Sequence, residues 1–285
     1  MNPVKLLESM DLEQLLQAAE DDIIEHMLYD AMRKMEQETP SDKNYFLPMK
    51  LMDEYHNSQE YRQLSENVKE YKEHMLKTGQ LYLGKKEKLE QAALEQLDSR
   101  TYGKGGPCHR GPLYPGNMEI ICASGRRKGH LFRQSKSPDY IYGLDKDGKL
   151  LFCKNKADRT IEYIITEKNK ELGIAYGQNR KITAISELYY DAGGQLSDYK
   201  YAGFWYGKRN LKISLCCEIY HYQDREVYID LIHAEGKYPS CEHFRFLQDD
   251  EGFVIKGECC NVMHKLIMDV EIPRGMKLRG YPPLK

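Results

Sequence analysis

Cysteine and histidine are the residues best suited to chemistry in this chain of 285 residues. Cys241 and His243 lie two positions apart, and Cys260 and His264 lie four apart. If neighbouring strands bring these two pairs together, their sulfur and nitrogen atoms make a tetrahedral set suited to zinc. The Cys-x-x-Cys spacing of zinc ribbons is absent from the chain. We therefore expect no cofactor, with zinc at these four residues as the alternative.

A cysteine hydrolase is a second chemical hypothesis. Its site would lie in the mouth of a curled sheet and would use some of the following residues: His221, His233, His243 and Cys241. A cysteine nucleophile needs a histidine that the fold aims at it, and adjacency in sequence, as in Cys108-His109, does not supply this. The Gly-x-Ser-x-Gly elbow of serine hydrolases is also absent from the sequence. A hydrolase-like enzyme is therefore the alternative to a non-enzymatic protein.

Tyrosine is the third candidate, because the chain has 22 of them. Several fall on the polar side of strand-like runs: Tyr189, Tyr220, Tyr222 and Tyr228. Tyrosine rings on a surface favour protein recognition, since each gives a large contact area at a low cost in entropy. We predict that these four bind another protein, and burial beneath helices is the equal alternative.

Composition and charge disfavour several other classes of function. The formal net charge of -2 and the pI near 6.5 make a nucleic-acid role unlikely, since such proteins usually carry a strongly basic face. The sequence has no apolar run near the roughly 20 residues of a membrane helix, and its start lacks a signal-peptide pattern. We expect a cytoplasmic protein without a membrane partner, in which the eight cysteines are free thiols.

Residues 1–100 are predicted to form a helical hairpin. A first apolar stripe from Leu12 to Ala31 predicts a helix that ends before Pro40. A second apolar stripe begins at Tyr61 and stays in one heptad frame as far as Ala92. It predicts one long helix from about Gln59 to Leu97, weakened at Thr78-Gly79 and at Gly84. The stripe must pack on the first helix, on a sheet or on a second copy of the chain, and the last case gives a homodimer.

The rest of the chain is predicted to be a β domain. Residues 101–116 are rich in Gly and Pro and are expected to form a linker. Residues 117–273 then alternate apolar and polar positions in about a dozen runs joined by short turns, which predicts an antiparallel meander. So many strands favour a strongly curled or barrel-like sheet. The expected class is α+β, with a tail at residues 274–285.

Three hairpin turns share an Asp-x-x-Gly pattern, beginning at Asp145, Asp191 and Asp249. The second turn, with its flanks Tyr190-Asp191-Ala192-Gly193-Gly194-Gln195-Leu196, resembles the tyrosine-aspartate repeats of bacterial Rhs-type polymorphic toxins. Serial hairpins of this kind are also similar to those in some antitoxin or immunity proteins. The resemblance implies a non-enzymatic bacterial protein that binds another protein, such as an immunity protein against a toxin.

Overall fold

The computed structural model describes residues 54–105, 118, 130–206, 211–235, 239–260, 266–270, 272 and 278. Within these residues, thirteen strands form one antiparallel sheet in the order β13-β12-β11-β10-β9-β8-β7-β6-β5-β4-β3-β1-β2. The strands are β1 Ser99–Lys104, β2 His130–Phe132, β3 Tyr140–Leu144, β4 Leu150–Asn155, β5 Thr160–Thr166, β6 Lys170–Tyr176, β7 Ile182–Tyr190, β8 Leu196–Tyr206, β9 Leu211–Gln223, β10 Glu226–Glu235, β11 Ser240–Gln248, β12 Val254–Cys260 and β13 Leu266–Asp269. Two helices accompany the sheet, α1 (Gln59–Tyr82) and α2 (Lys86–Gln96).

The predicted antiparallel meander is confirmed from β3 to β13, where each strand pairs with its neighbours in sequence. Aspartates organise the short turns, because each accepts backbone hydrogen bonds with its side chain. Asp145 accepts from the backbone N–H of Asp147 at 2.9 Å and of Lys149 at 2.8 Å. The glycine that ends each of the three predicted turns has a φ between 77° and 80°, which favours glycine.

The predicted α+β class, with a long helix and a strongly curled or barrel-like sheet, is wrong. The described strands β2 and β13 end the sheet at opposite sides and do not pair with each other, so the sheet is open. Strand number did not force closure, because side chains are buried on both faces of the open sheet. None of the described helices is long and apolar enough to cross a membrane.

The single helix predicted from Gln59 to Leu97 is two helices. The break falls at Gly84, whose φ of 69° lies in the left-handed region and ends α1. The hydroxyl of Tyr176 donates to the carbonyl of Tyr82 at 2.7 Å and so satisfies the last turn of α1. Helix α2 begins after this break. In α2, Ala93 is the buried alanine, whereas the heptad pattern predicted Ala92, which is exposed.

The structure tests only part of the predicted linker and does not describe the first predicted helix. Thr101–Lys104, placed in the linker, belong to β1, because this strand finds partners on both sides in β3 and β2. Residues 106–116 of the linker, the first predicted helix and nearly all of the tail lie outside the described residues. The division into domains therefore stays a prediction.

One face of the sheet, called here the helix-bearing face, carries both helices. Ser58 caps α1 by accepting a hydrogen bond from the N–H of Tyr61 at 3.0 Å. Helix α1 lies against β7 and β9, and α2 lies against β4 and β5. The buried stripe of α1, which includes Leu64, Val68 and Met75, joins sheet residues in one core. Because this stripe is already buried against the sheet, a homodimer through it would require the helix to leave its place.

The opposite face of the sheet is also buried. Leu188, Tyr199 and Ile229 belong to a second core that includes Met118 and Leu278. The carboxylate of Glu218, buried in the same region, accepts a hydrogen bond from the N–H of Met118 at 3.1 Å. The chain beyond the strands therefore contributes to covering this face.

Gly143 gives a test of packing on the helix-bearing face. A Cβ atom at this position would lie 2.1 Å from the ring of the buried Phe152, its partner on β4. We expect Gly143→Ala to lower the free energy of unfolding by about 1–3 kcal/mol, because the ring must move within a packed core. Urea unfolding followed by circular dichroism measures the change.

Gly79→Ala is the matched control, since its Cβ would meet the nearest atom, on Ile185, at an ordinary 3.5 Å. Because Gly79 lies inside α1, the alanine should raise the free energy of unfolding by up to about 1 kcal/mol. Equal effects of the two substitutions would contradict the packing argument.

Candidate functional site

A row of polar side chains runs across β9 to β12 on the helix-bearing face, beyond the helices. We call it the acidic ladder and define it by eight residues: His221, Glu226, Tyr228, Asp230, His243, Arg245, Lys256 and Glu258. The register of the strands brings these residues together. Tyr228 lies opposite both His221 and Arg245, and Arg245 lies opposite Glu258 on β12.

Ion pairs and hydrogen bonds connect the members of the ladder. His243 Nδ1 lies 2.7 Å from Asp230 Oδ1, and His221 Nε2 lies 3.7 Å from Asp230 Oδ2. Arg245 donates to Glu226 and has a second ion pair with Glu258 at 3.6 Å. These contacts hold long side chains in fixed positions before any partner arrives, which lowers the entropy cost of binding.

Two carboxylates of the ladder, Glu226 and Glu258, keep their charge near neutral pH. Hydrogen bonds from Arg245 and from Tyr228 lower the pKa of Glu226, and a hydrogen bond from Lys256 lowers the pKa of Glu258. Both carboxylates therefore stay ionised. The surface is open to solvent, because the side chains of His221, Lys256 and Arg245 are 62%, 58% and 49% exposed.

The ladder lies at the acidic end of a polarised sheet. Residues 221–235, 239–260 and 266–270 contain ten Asp and Glu against three Lys and Arg, an acidic excess of seven. Residues 99–105 and 130–181, at the other end, contain thirteen Lys and Arg against seven Asp and Glu, a basic excess of six. The small net charge of the chain conceals this separation, which creates opposite surface potentials at the two ends.

A second polar cluster lies between α1 and the sheet and is centred on Glu187 of β7, whose side chain is almost fully buried. Lys170 Nζ donates to its carboxylate at 2.6 Å, and the hydroxyl of Tyr189 donates at 2.8 Å. His74 Nε2 of α1 lies 3.0 Å from both carboxylate oxygens. The ammonium group of Lys200 lies over the rings of Tyr71 and Tyr189. We interpret this cluster as an anchor that fixes α1 on the sheet.

Hydrogen bonds decide the ionisation of Glu187. Burial by itself would raise the pKa of this carboxyl, but hydrogen bonds from Lys170, His74 and Tyr189 outweigh burial and lower the pKa. Because the pKa is lower in the folded than in the unfolded state, Glu187 stabilises the fold above its unfolded pKa. That stabilisation is lost as the pH falls through the folded pKa.

The predicted zinc ligands are only partly located. Cys241 and His243 lie two positions apart on β11, and Cys260 lies opposite His243 in the register. His264 lies outside the described residues. Within the described part of the chain, no group of three or more His, Cys, Asp and Glu has an arrangement that could hold a metal ion. Zinc binding by these four residues stays a prediction.

The proposed hydrolase residues are divided between the two faces of the sheet: Cys241, His221 and His243 lie on the helix-bearing face, and His233 lies on the other. His233 lies opposite Cys216 and Ser240 on the other face of the sheet from His243. Burial raises the pKa of the Cys241 thiol to about 12, which disfavours a thiolate nucleophile. The open sheet has no mouth that would gather these groups.

The four candidate tyrosines do not form one surface. Tyr189 belongs to the Glu187 cluster, and Tyr228 belongs to the acidic ladder. Tyr220 and Tyr222 lie on the opposite face, where Tyr220 is buried and Tyr222 donates to the carbonyl of Leu196 at 2.8 Å. Tyr228 is the member of the four that lies in the exposed polar row.

Sequence reasoning missed the acidic ladder as a unit. Its signal was the alternation of polar residues at Glu226, Tyr228 and Asp230 and again at His243 and Arg245. Such alternation predicts a half-buried strand, but the pairing of the strands decides which charges meet.

No protein-family model matches the chain, and searches of curated proteins and of solved structures also find no match. The function of this open antiparallel meander must therefore be inferred from its own residues.

Replacing Glu187 tests the anchor. We expect Glu187→Gln to lower the free energy of unfolding by about 3 kcal/mol near neutral pH, because it leaves the ammonium group of Lys170 poorly compensated. The difference from the wild type should begin to shrink below about pH 4, near the pKa of a glutamate in the unfolded chain, and should be lost as the pH falls through the lower pKa of folded Glu187. Urea unfolding across this pH range measures both effects.

Glu66→Gln is the control for that experiment, since Glu66 is an exposed carboxylate on α1, the helix that the Glu187 cluster anchors. Its effect should stay within about 0.5 kcal/mol at every pH. A similar loss in both variants would mean that the charge of α1 and its surroundings, and not the buried cluster, determines stability.

Burial of the thiols predicts their order of reaction. Burial raises the pKa values of Cys217 and Cys241 to about 12, whereas Cys216 is partly exposed. We expect iodoacetamide at about pH 8 to modify Cys216 before Cys217 and Cys241 in the folded protein. Peptide mapping by mass spectrometry gives the order, and early modification of Cys241 would contradict its burial.

Proposed function

We propose that this chain is a non-enzymatic protein that binds a basic protein partner through the acidic ladder. The observation that carries the proposal is the ladder itself, an exposed and internally paired row of charges with Tyr228 and Arg245 at its centre. Tyrosine and arginine are the residue types that most often dominate binding energy at interfaces. The acidic excess of this end of the sheet, counted over both of its faces and its turns, favours a partner of opposite charge and speeds its association.

The shape of the site supports a macromolecular partner. The ladder crosses four neighbouring strands, β9 to β12, and so extends about 14 Å across the sheet at about 4.8 Å per strand. Further charges lie at the strand ends, where Arg225 pairs with Asp250 across two turns. A broad and open surface of this kind suits another protein better than a small substrate, which binds in a concave pocket.

A finer form of the proposal is that the chain is a cytoplasmic immunity protein of a bacterial toxin system. The Asp-x-x-Gly hairpins that suggested this class are well-formed turns in the sheet. In this form of the proposal the partner is a basic toxin, and the acidic ladder covers a basic surface of that toxin. No catalytic residue or cofactor is needed for such a role.

Charge reversal on the ladder tests the proposal. The partner is first recovered from lysate of the source cells with the immobilised chain, then produced as a pure protein and titrated by calorimetry. We expect a basic protein that binds with 1:1 stoichiometry and an affinity that falls as salt is added. Glu226→Lys should weaken the affinity about tenfold or more by placing a cation against the partner.

Glu167→Lys is the matched control, because it makes the same change of charge at the basic end of the sheet. Its affinity should remain close to that of the wild type. Equal losses in both variants would show that only net charge matters, and a purified partner with an acidic surface would exclude the proposal.

Tyr228→Ala is a second test that does not alter the net charge. Loss of this ring from the centre of the ladder should weaken binding about tenfold or more, as for an interface hot spot. Tyr201→Ala, on the opposite face, removes a partly buried tyrosine of the second core and serves as the control. An unchanged affinity in a folded Tyr228→Ala protein would place the interface elsewhere.

A further inference from the structure

Two clefts flank α2 on the helix-bearing face, far from the acidic ladder. The smaller cleft, of about 340 Å³, lies between α2 and strands β1, β3, β4 and β5. Its floor is apolar and consists of Ile141, Phe152, Ile161 and the ring of Tyr163, and Leu94 of α2 forms part of its rim. We call it the α2 groove. Its size falls within the range of small-molecule sites, about 300–1,000 Å³.

Two cations lie at the edge of this apolar floor. Arg100 on β1 and Lys154 on β4 both line the groove, both are exposed, and neither has an ion-pair partner among the described residues. The register places them on the same face, because Arg100 pairs with Gly143 and Gly143 pairs with Phe152, two residues before Lys154. Glu90 is the single carboxylate among the lining residues. The groove is therefore positive on balance and complementary to an anion.

Exposed apolar side chains extend the floor of the groove. Leu94 is 50% exposed, and Phe132 is 44% exposed. Phe132 lies opposite Tyr102, a lining residue, so it stands on the same face beside the groove. Large apolar residues gathered at the mouth of a cleft indicate that the natural ligand also has an apolar part.

The hydroxyl of Tyr163 is the third observation. It is buried and has no hydrogen-bond partner in the described part of the chain, although Tyr163 lines both clefts. Leaving a buried hydroxyl unpaired costs free energy, and native proteins rarely do so without a reason. Because this hydroxyl is closed to solvent, a ligand oxygen in the groove becomes its partner only when the ring of Tyr163 turns toward the groove.

We propose that the α2 groove binds a small carboxylate with an aromatic or branched apolar body. Arg100 and Lys154 pair with the carboxylate, and the apolar body lies on Ile141, Phe152 and Ile161. The carboxylate is the group that Arg and Lys bind best through charge-assisted hydrogen bonds. This site is independent of the acidic ladder and of any protein that binds there.

The test uses two probes of nearly equal size on the full chain. 4-Phenylbutyrate carries the carboxylate, and 4-phenylbutan-1-ol is its uncharged counterpart. We expect saturable binding of the acid in titrations followed by NMR, with a Kd of about 1 mM for a ligand of this size. The alcohol should bind about tenfold more weakly or not at all, because it lacks the charge that Arg100 and Lys154 recognise.

Substitutions then locate the site. The double variant Arg100→Gln with Lys154→Gln should weaken the acid about tenfold or more, and its melting temperature should be unchanged because both residues are exposed. Tyr163→Phe should also weaken the acid while leaving the protein at least as stable, since it removes an unpaired buried hydroxyl. Lys146→Gln is the charge control, because Lys146 lies in a turn and lines neither cleft.

Three results would overturn the proposal. One is the absence of saturable binding of the acid up to about 10 mM, which is ten times the expected Kd. Another is equal binding of the acid and the alcohol, which would mean that the cations play no part. The third is an equal loss of affinity for the acid in Lys146→Gln and in the double variant. This result would mean that the net charge of the protein, and not the position of Arg100 and Lys154, determines binding.

Discussion

The buried carboxylate of Glu187 is the interaction on which the arrangement of helices and sheet depends. A charge with 1% of its side chain exposed is tolerated only when it is paired, and its donors come from three elements: His74 of α1, Lys170 of β6 and Tyr189 of β7. His74 fixes the position of α1 on the sheet, Lys170 fixes the pairing of β6 with β7, and Tyr189 supports the carboxylate from within β7. Helix α2 follows α1 after a short break, so the same anchor also places the α2 groove.

The register fixed near Glu187 extends across the sheet because each following strand pairs antiparallel with its neighbour in sequence. Directly paired residues form one row on the helix-bearing face, from Lys170 on β6 to Cys260 on β12. The intervening members are Tyr189, Asp198, Ile219, Asp230 and His243. One end of this row belongs to the buried anchor, and the other end belongs to the acidic ladder. A slip of one residue in any of these pairings would turn the ladder to the opposite face.

The sequence predicted where the strands lie along the chain. It did not predict which face of the sheet each residue occupies or which residues lie opposite each other. Strands β3 to β13 all lie within the region 117–273 that was predicted to be β, because alternation and turn residues are local signals. The face that a residue occupies depends on how its strand pairs with other strands. Odd-numbered residues face the helices in some strands, and even-numbered residues face them in others. Odd-numbered apolar residues of β9, such as Leu215, face the helices, whereas Ile229 of β10 faces away from them. Because the sequence did not show this change of parity, it did not predict that the four candidate tyrosines lie on two faces. It also did not predict that the charged residues of the ladder lie side by side.

The distance between the two proposed sites decides how they can influence each other. Six strand spacings separate β4 from β10, about 29 Å at about 4.8 Å each. The Debye length at physiological ionic strength is about 8 Å, so a charge bound in the α2 groove is screened from the acidic ladder. Any coupling must therefore be mechanical, through α1, the Glu187 anchor and the paired row that leads to His243. Because that row is held by backbone pairing across a continuous sheet, small shifts beneath α2 would have to displace whole strands to reach the ladder. The physical structure thus favours two sites that bind independently.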